Sequence, residues 1–182
     1  MLMFNFKKDA AVKNIYQNII DRSRCKSFYI DYDIEDRFES RFDLVVLHSF
    51  IIFQYFLDTG MKKNKLSQSI FDLMFQDFEN NLREMGFGDI AVNKKMKLFI
   101  AAFYGRVANY SKSIQTYRLN SSISNLSITI KKNIYKNNNI SDTKLDSLSR
   151  YVISNISDFV KNGYETNIKY FFKFNDDLET VK

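Results

Sequence analysis

Two amphipathic stretches joined by a glycine-bearing segment constrain the fold more than any other feature of the chain. Between residues 66 and 85, and again between residues 96 and 110, apolar side chains recur at steps of three and four residues. This spacing lines one face of an α-helix. Gly86 is well placed to end the first helix in the left-handed conformation, which costs a glycine little. Asn93 can cap the second helix through its side-chain oxygen. The sequence therefore predicts a helical hairpin, with helices over 66–85 and 93–117, that buries two aromatic-rich faces.

The composition extends this prediction to the whole chain. The 182 residues include no proline and five glycines, and 45% of them are hydrophobic. So few turn-forming residues favour long helices over a β architecture, and a chain of this length can bury roughly 70% of its unfolded surface. We predict an all-α fold, a single irregular helical domain over residues 1–182 with about six helices. The single cysteine, Cys25, excludes an intrachain disulfide and fits a reducing compartment.

Two further amphipathic helices follow from apolar spacing near the ends of the chain. One is predicted over residues 9–24 with Asp9 as its cap, and the other over residues 142–162. Ser141 or Asp142 can cap the latter, and Gly163 can close it.

A third helix is predicted over residues 41–59, ending near Gly60. It is apolar on most sides, so it belongs at the centre of a bundle. Its most apolar run, residues 44–57, is shorter than the ~20 residues that span a bilayer. We interpret it as a buried core helix, with an interfacial membrane helix as the alternative.

The remaining segments carry weaker signals. Residues 25–40 combine five acidic side chains with four aromatic ones, which predicts an extended surface loop pinned by its aromatics. Residues 119–136 fit a strand or a helix equally well. A lone strand would lack a partner in a helical chain, so a helix is predicted. The tail, residues 167–182, fits a short strand or a packed arm.

The charge is concentrated in one segment. The chain carries 27 basic and 21 acidic residues, yet residues 93–136 contain nine basic residues and no acidic one. A positive field of this kind favours an anionic partner such as ribosomal RNA or phospholipid headgroups. The alternative is a solvated helix face, partly neutralised by the acidic segment 31–43.

The sequence gives little support for an enzyme active site or a metal site. His48, the only histidine, lies in an apolar helix and is predicted to be a core residue hydrogen-bonded to a carbonyl or carboxylate. Asp72, Asp77, Glu84 and Asp89 are predicted to act as caps and as ion-pair partners of Arg41, Arg83 or Arg106. The sequence lacks the His and Cys spacings of transition-metal sites. Gly86-x-Gly88 is too short to cradle a phosphate and predicts a turn. No catalytic residue, metal site or cofactor is predicted.

Several motifs resemble those of a known family. They are Ile15-Tyr16…Ile19-Ile20…Ser23-Arg24, Arg41-Phe42-Asp43-Leu44-Val45-Val46-Leu47-His48, Phe71-Asp72-x-Met74-Phe75-x-Asp77, Leu82-Arg83-Glu84-Met85-Gly86-Phe87-Gly88-Asp89-Ile90, and Phe103-Tyr104-Gly105-Arg106 with Tyr110. In this order they resemble the ubiquinol–cytochrome c chaperone family, assembly factors for respiratory complex III. The resemblance covers residues 12–162.

The resemblance implies a non-enzymatic chaperone that binds newly made cytochrome b and assists assembly of complex III. It implies work near the ribosome and an anionic membrane surface, with a small partner protein. The place would be the cytoplasmic, inner face of the plasma membrane in a bacterium, or the matrix side in a mitochondrion. A peripheral lipid- or quinone-binding helical protein and an RNA-binding adaptor are the alternatives.

The motifs and the basic segment together supply the candidate residues. Candidate partner-binding residues are Arg83, Phe87, Asp89, Lys94, Lys95, Lys97, Tyr104, Arg106, Tyr110 and Lys112. Candidate structural residues are Arg41, Asp43, His48, Asp72, Gly86, Gly88 and Gly105.

Overall fold

The protein folds as a set of packed helices. A computed structural model describes residues 2–60, 65–162 and 174–175, with side chains from residue 10 onward except that of residue 162. The helices are α1 (Leu2–Ser23), α2 (Lys26–Ile30), α3 (Phe38–Asp58), α4 (Lys65–Glu84), α5 (Asp89–Asn120), α6 (Ser124–Asn133) and α7 (Asp142–Asn162). Because α2 is a little over one turn long, six helices carry the architecture, and the described residues include no strand. The predicted all-α fold is confirmed.

Helix α3 forms the centre of the molecule. Fifteen of its 21 residues are buried, and it packs against α1, α5 and α7. It is long and apolar enough to cross a membrane by length and composition alone, but 83% of its most apolar window is buried inside the protein. The prediction of a core helix is therefore confirmed.

Helices α4 and α5 form the predicted hairpin. Gly86 has a φ of +86°, its N–H donates to the Arg83 carbonyl, and the Phe87 N–H donates to the Leu82 carbonyl. These two bonds make the Schellman arrangement that ends a helix at a left-handed residue. The turn redirects the chain within three residues, so α5 begins at Asp89 with Gly88 at its N-cap. The predicted capping role of Asn93 is wrong because Asn93 lies inside the helix.

The N-terminal segments differ from prediction in their bounds. Helix α1 extends back to Leu2, so Asp9 lies within it and does not cap it. The predicted loop over 25–40 contains the short α2, and α3 begins at Phe38. The aromatic anchors of that segment are confirmed, since Phe28 and Tyr32 are buried.

The C-terminal helices match prediction in type. Helix α6 is shorter than the predicted 119–136 because Ser121, with a φ of +57°, ends α5 just before it. Ser141 caps α7 by accepting a hydrogen bond from the Lys144 N–H at 3.3 Å. Gly163 and most of the tail lie outside the described residues. Phe174, which is described, is buried.

Candidate functional site

One side of α5 faces solvent along most of its length. Between residues 90 and 112, nine exposed residues recur at three- and four-residue steps and lie within about a third of the helix circumference. We define this set as the outer face of α5: Ile90, Lys94, Lys97, Leu98, Ala101, Tyr104, Gly105, Ala108 and Lys112. The opposite side is buried through Phe103, Tyr110 and Ile114. The outer face is therefore a solvent-facing strip on a helix that the core holds from behind.

The outer face is both apolar and cationic. Ile90, Leu98 and Tyr104 are 88%, 62% and 58% exposed. Lys94, Lys97 and Lys112 have no carboxylate partner in the part of the chain that the structure describes, and α5 contains no acidic residue after Asp89. Exposed apolar side chains beside unpaired cations form a surface that can take an apolar partner carrying negative charge.

The joint between α4 and α5 borders this face. Arg83 pairs with Glu79 at 2.8 Å and with Asp89 across the turn, and these two carboxylates raise the pKa of Arg83. The Lys95 Nζ lies 4.7 Å from the centroid of the Phe87 ring. Of the five residues in these contacts, all but Glu79 are candidate partner-binding residues, and in the structure they contact each other across the turn. The prediction that Asp89 pairs with an arginine is confirmed, and the arginine is Arg83.

Two candidate partner-binding residues point into the protein. The Arg106 Nη2 lies 2.6 Å from the Asp43 Oδ1, and its guanidinium stacks 5.1 Å from the centroid of the Phe42 ring. Tyr110 is fully buried, and burial raises the pKa of its hydroxyl. In this structure neither residue belongs to the outer face.

Asp43 joins three parts of the fold. Its carboxylate, 1% exposed, pairs with Arg106 of α5 and with Lys136 just after α6. Burial raises the pKa of Asp43, while the two cations oppose that shift. Lys136 has a φ of +53°, a conformation that L-residues adopt at a cost. The ion triplet thus holds α5 and the turn after α6 against α3.

His48 is a core residue, as its apolar surroundings predicted. Its Nδ1 lies 2.7 Å from the Leu44 carbonyl oxygen and 3.0 Å from the Ser23 Oγ. Because a carbonyl only accepts, the proton is on Nδ1, and the Tyr151 hydroxyl donates to Nε2 at 3.0 Å. Burial lowers the pKa of His48 to about 3. A histidine held neutral and enclosed in this way supports the core.

Asp72 and Asp77 have partners other than arginine. Asp72 accepts a hydrogen bond from Gln68, one turn earlier on α4. Asp77 accepts one from Tyr16, because α1 packs against α4 there. The prediction that Asp72 and Asp77 pair with arginines is wrong. Arg41 pairs with Asp36 at the surface.

The acidic segment 31–43 neutralises little of the basic segment 93–136. Asp33 pairs with Lys144, Glu35 with Arg37, and Asp36 with Arg41. Asp43 is the segment's one described ion-pair partner for residues 93–136. Six of the nine basic residues there have no carboxylate partner among the residues described: Lys94, Lys95, Lys97, Lys112, Lys131 and Lys132. The positive field is therefore larger than the sequence argument assumed.

Other features offer less chemistry. Over residues 2–60, 65–162 and 174–175, no group of three or more His, Cys, Asp or Glu side chains could hold a metal ion. An open depression of about 570 Å³ lies where α3, α5 and α7 end. Ile114, Ile153 and Ile156 line it, with the Arg118–Asp58 ion pair. The outer face of α5 remains the strongest candidate site.

Comparisons with known proteins agree with the sequence motifs. The sequence model of a family described as ubiquinol-cytochrome C chaperone matches residues 31–161. Ubiquinol-cytochrome c reductase complex assembly factor 1 from Mus musculus is 23% identical over 109 residues, which are 60% of this chain and 37% of the mouse protein. The chain thus spans little more than a third of that relative. The crystal structure of the Cbp3 homolog from Brucella abortus is similar over 100% of both chains, with a TM-score of 0.76 and 26% identity.

Proposed function

Because the chain belongs to the ubiquinol–cytochrome c chaperone family, we propose that it is a non-enzymatic assembly chaperone that holds newly made cytochrome b while respiratory complex III is assembled. The outer face of α5 carries this proposal. Cytochrome b is a membrane protein, so it presents apolar surface before it is assembled. A chaperone for it needs apolar side chains in contact with solvent, and Ile90 and Leu98 are such side chains.

The support behind the outer face suits this task. Helix α5 is 32 residues long, about 48 Å at 1.5 Å per residue. Its inner side is fixed by Phe103, Tyr110 and the Arg106–Asp43 pair. A docking surface that is already rigid loses little conformational freedom when a client binds. The proposed place of work is the inner face of the bacterial plasma membrane, or the matrix side in an organelle.

Affinity purification of the full chain from its native host, with identification of the recovered proteins, tests this proposal. We expect cytochrome b to be recovered with the parent protein. An Ile90→Glu variant should recover at least fivefold less, because a carboxylate replaces an exposed apolar contact on the outer face. Ile30→Glu is the matched control, since Ile30 is also a largely exposed isoleucine, at 70%, but lies on α2. Two results together would refute the proposal: the parent protein never recovers cytochrome b, and deletion of the chain leaves complex III unaffected in the host.

A second candidate rests on the unpaired lysines of the basic segment. Six cations without carboxylate partners in the described structure favour attraction to anionic membranes or to ribosomal RNA. Co-sedimentation with vesicles of anionic phospholipid, compared with zwitterionic vesicles, measures the first. Ribosome pelleting across a salt series measures the second. Strong binding to either, without recovery of cytochrome b, would favour this candidate.

A further inference from the structure

The middle of the outer face carries only small side chains along its centre line, between Leu98 and Tyr104 at the edges. Ala101, Gly105 and Ala108 are exposed there, one helical turn apart. A Cβ added to Gly105 would meet nothing within 4 Å, so the strip is open to solvent and not filled by another part of the fold. Small residues at this spacing allow a second helix to approach closely, at an interaxial distance near 8 Å.

Lysines stand at both ends of this strip. Lys94 and Lys97 precede Ala101, and Lys112 follows Ala108. The two ends are 15 to 18 residues apart on α5, roughly 22–27 Å at 1.5 Å per residue. A helix lying along α5 would bring its own side chains to both ends at a matching separation. Carboxylates at those two places would pair with the lysines.

We propose that the outer face of α5 docks an apolar helix of the client, aligned along the Ala101–Ala108 strip and carrying a carboxylate near each end. This inference rests on the proposed function for the identity of the client. Close packing over Gly105 supplies shape complementarity, and the lysines fix the register through charge.

Charge argues against a second copy of this chain as the occupant. An antiparallel pairing centred on the Ala101–Ala108 strip places Lys97 of one copy near Lys112 of the other, at both ends of the contact. A parallel pairing places each lysine beside its own equivalent. Like charges in such positions are destabilising, so the face disfavours self-association.

Shape argues against a lipid surface. Helices that lie in a membrane interface insert bulky side chains such as Trp, Phe and Leu on the buried side. Here the centre line of the face holds Ala101, Gly105 and Ala108, which offer little apolar area to insert, and the bulkier Leu98 and Tyr104 stand at its opposite edges. The same small residues are what a packed helix requires.

Two substitutions at one position separate these occupants. Gly105→Leu adds a bulky side chain at an exposed position where a Cβ meets nothing within 4 Å, and it replaces glycine by a better helix former, so we expect the variant to fold. We expect it to recover at least tenfold less client than the parent, with an unchanged or higher thermal midpoint. Gly105→Ala, the matched control, should stay within twofold of the parent. If the face lay on lipid, Gly105→Leu would instead increase co-sedimentation with anionic vesicles. Recovery of client by Gly105→Leu at the parent level would overturn the inference.

A photo-crosslinking experiment separates failure of the inference from failure of the proposed function. A photoreactive phenylalanine analogue replaces Ala101 on the outer face or Asn14, an exposed residue of α1. Adducts to a helical segment of cytochrome b from position 101 and not from position 14 support both ideas. Adducts to cytochrome b only from position 14 leave the proposed function standing and refute the docking site. Adducts from position 101 to an apolar helix of a different complex III subunit support the docking site and refute cytochrome b as client.

Discussion

Removing one partner of the buried Asp43–Arg106 pair should destabilise the protein strongly. Asp43 is 1% exposed and Arg106 is 17% exposed, so Arg106→Gln leaves a buried carboxylate with Lys136 alone. Breaking a buried ion pair by removing one partner costs about 3–5 kcal/mol. Because Lys136 remains and Arg106 is not fully buried, we expect the low end, about 3 kcal/mol.

A double-mutant cycle measures how much of this cost belongs to the pair. The cycle comprises Arg106→Gln, Asp43→Asn and the double variant, each unfolded with urea and followed by circular dichroism. The double variant buries neither charge, so we expect it to be less destabilised than the sum of the single variants by about 2 kcal/mol. For a chain of this size, the cost of Arg106→Gln should lower the thermal midpoint by roughly 6–12 °C.

The surface pair Arg41–Asp36 is the matched control. Its two side chains are 58% and 54% exposed, and exposed pairs are worth about 0–1 kcal/mol. Arg41→Gln should therefore change stability little. If Arg106→Gln cost no more than this control, the ion triplet would not hold α5 in place. If Arg106→Gln kept its stability but lost client, Arg106 would be a partner-binding residue after all.

Three other substitutions test separate parts of the argument. Gly86→Val should destabilise the fold by roughly 1–2 kcal/mol, since φ is +86° and a β-branched residue is strained there even though space is available; an unchanged thermal midpoint would contradict this. Because burial lowers the pKa of His48 to about 3, its neutral form stabilises the fold fully above pH 6.5, and that contribution declines by roughly 1 kcal/mol per pH unit as the pH falls toward 3. His48→Gln should reduce stability at pH 7 and flatten this slope in urea titrations, while client recovery persists; a variant that folds normally but loses client would refute the structural role. Changing four lysines together to Glu should keep helicity by circular dichroism and weaken binding to client and to anionic vesicles; the four are Lys94, Lys95, Lys97 and Lys112. Equal binding of this variant and the parent at low salt would show that these lysines are only solvated.

Helix type was predictable from the sequence, whereas helix starts were not. Apolar spacing identifies α4 and α5, and Gly86 marks their joint, because both signals are local. The first residue of a helix depends on where the preceding turn ends. The turn at Gly86 is complete before Asp89, so α5 begins at Asp89, four residues before Asn93. Asp9 fails in the same way, since an Asp or Asn that can cap a helix can also sit inside one.

The candidate site was predictable in charge but not in geometry. Counting basic residues over 93–136 located the positive segment, but Tyr104 and Arg106 were grouped although two residues on a helix point about 200° apart. The structure sends Arg106 inward to Asp43 and leaves Tyr104 exposed. Ile90 and Leu98 were missed because apolar residues are assumed to be buried. Their signal was present: both lie out of phase with the buried Phe103 and Tyr110.

The lysines and the exposed apolar residues of α5 make sense only as a combination. A strip with Ile90, Leu98 and Tyr104 exposed would, by itself, favour aggregation. Lysines at both ends oppose pairing of two such strips, because the centred antiparallel pairing and the in-register parallel pairing both bring like charges together. They do not oppose a client helix that carries carboxylates at the matching positions. A chaperone for an apolar client needs this combination, because it must keep apolar surface exposed without self-associating. On this argument, replacing the lysines by neutral glutamine should increase self-association measured by analytical ultracentrifugation, even as it weakens the client complex.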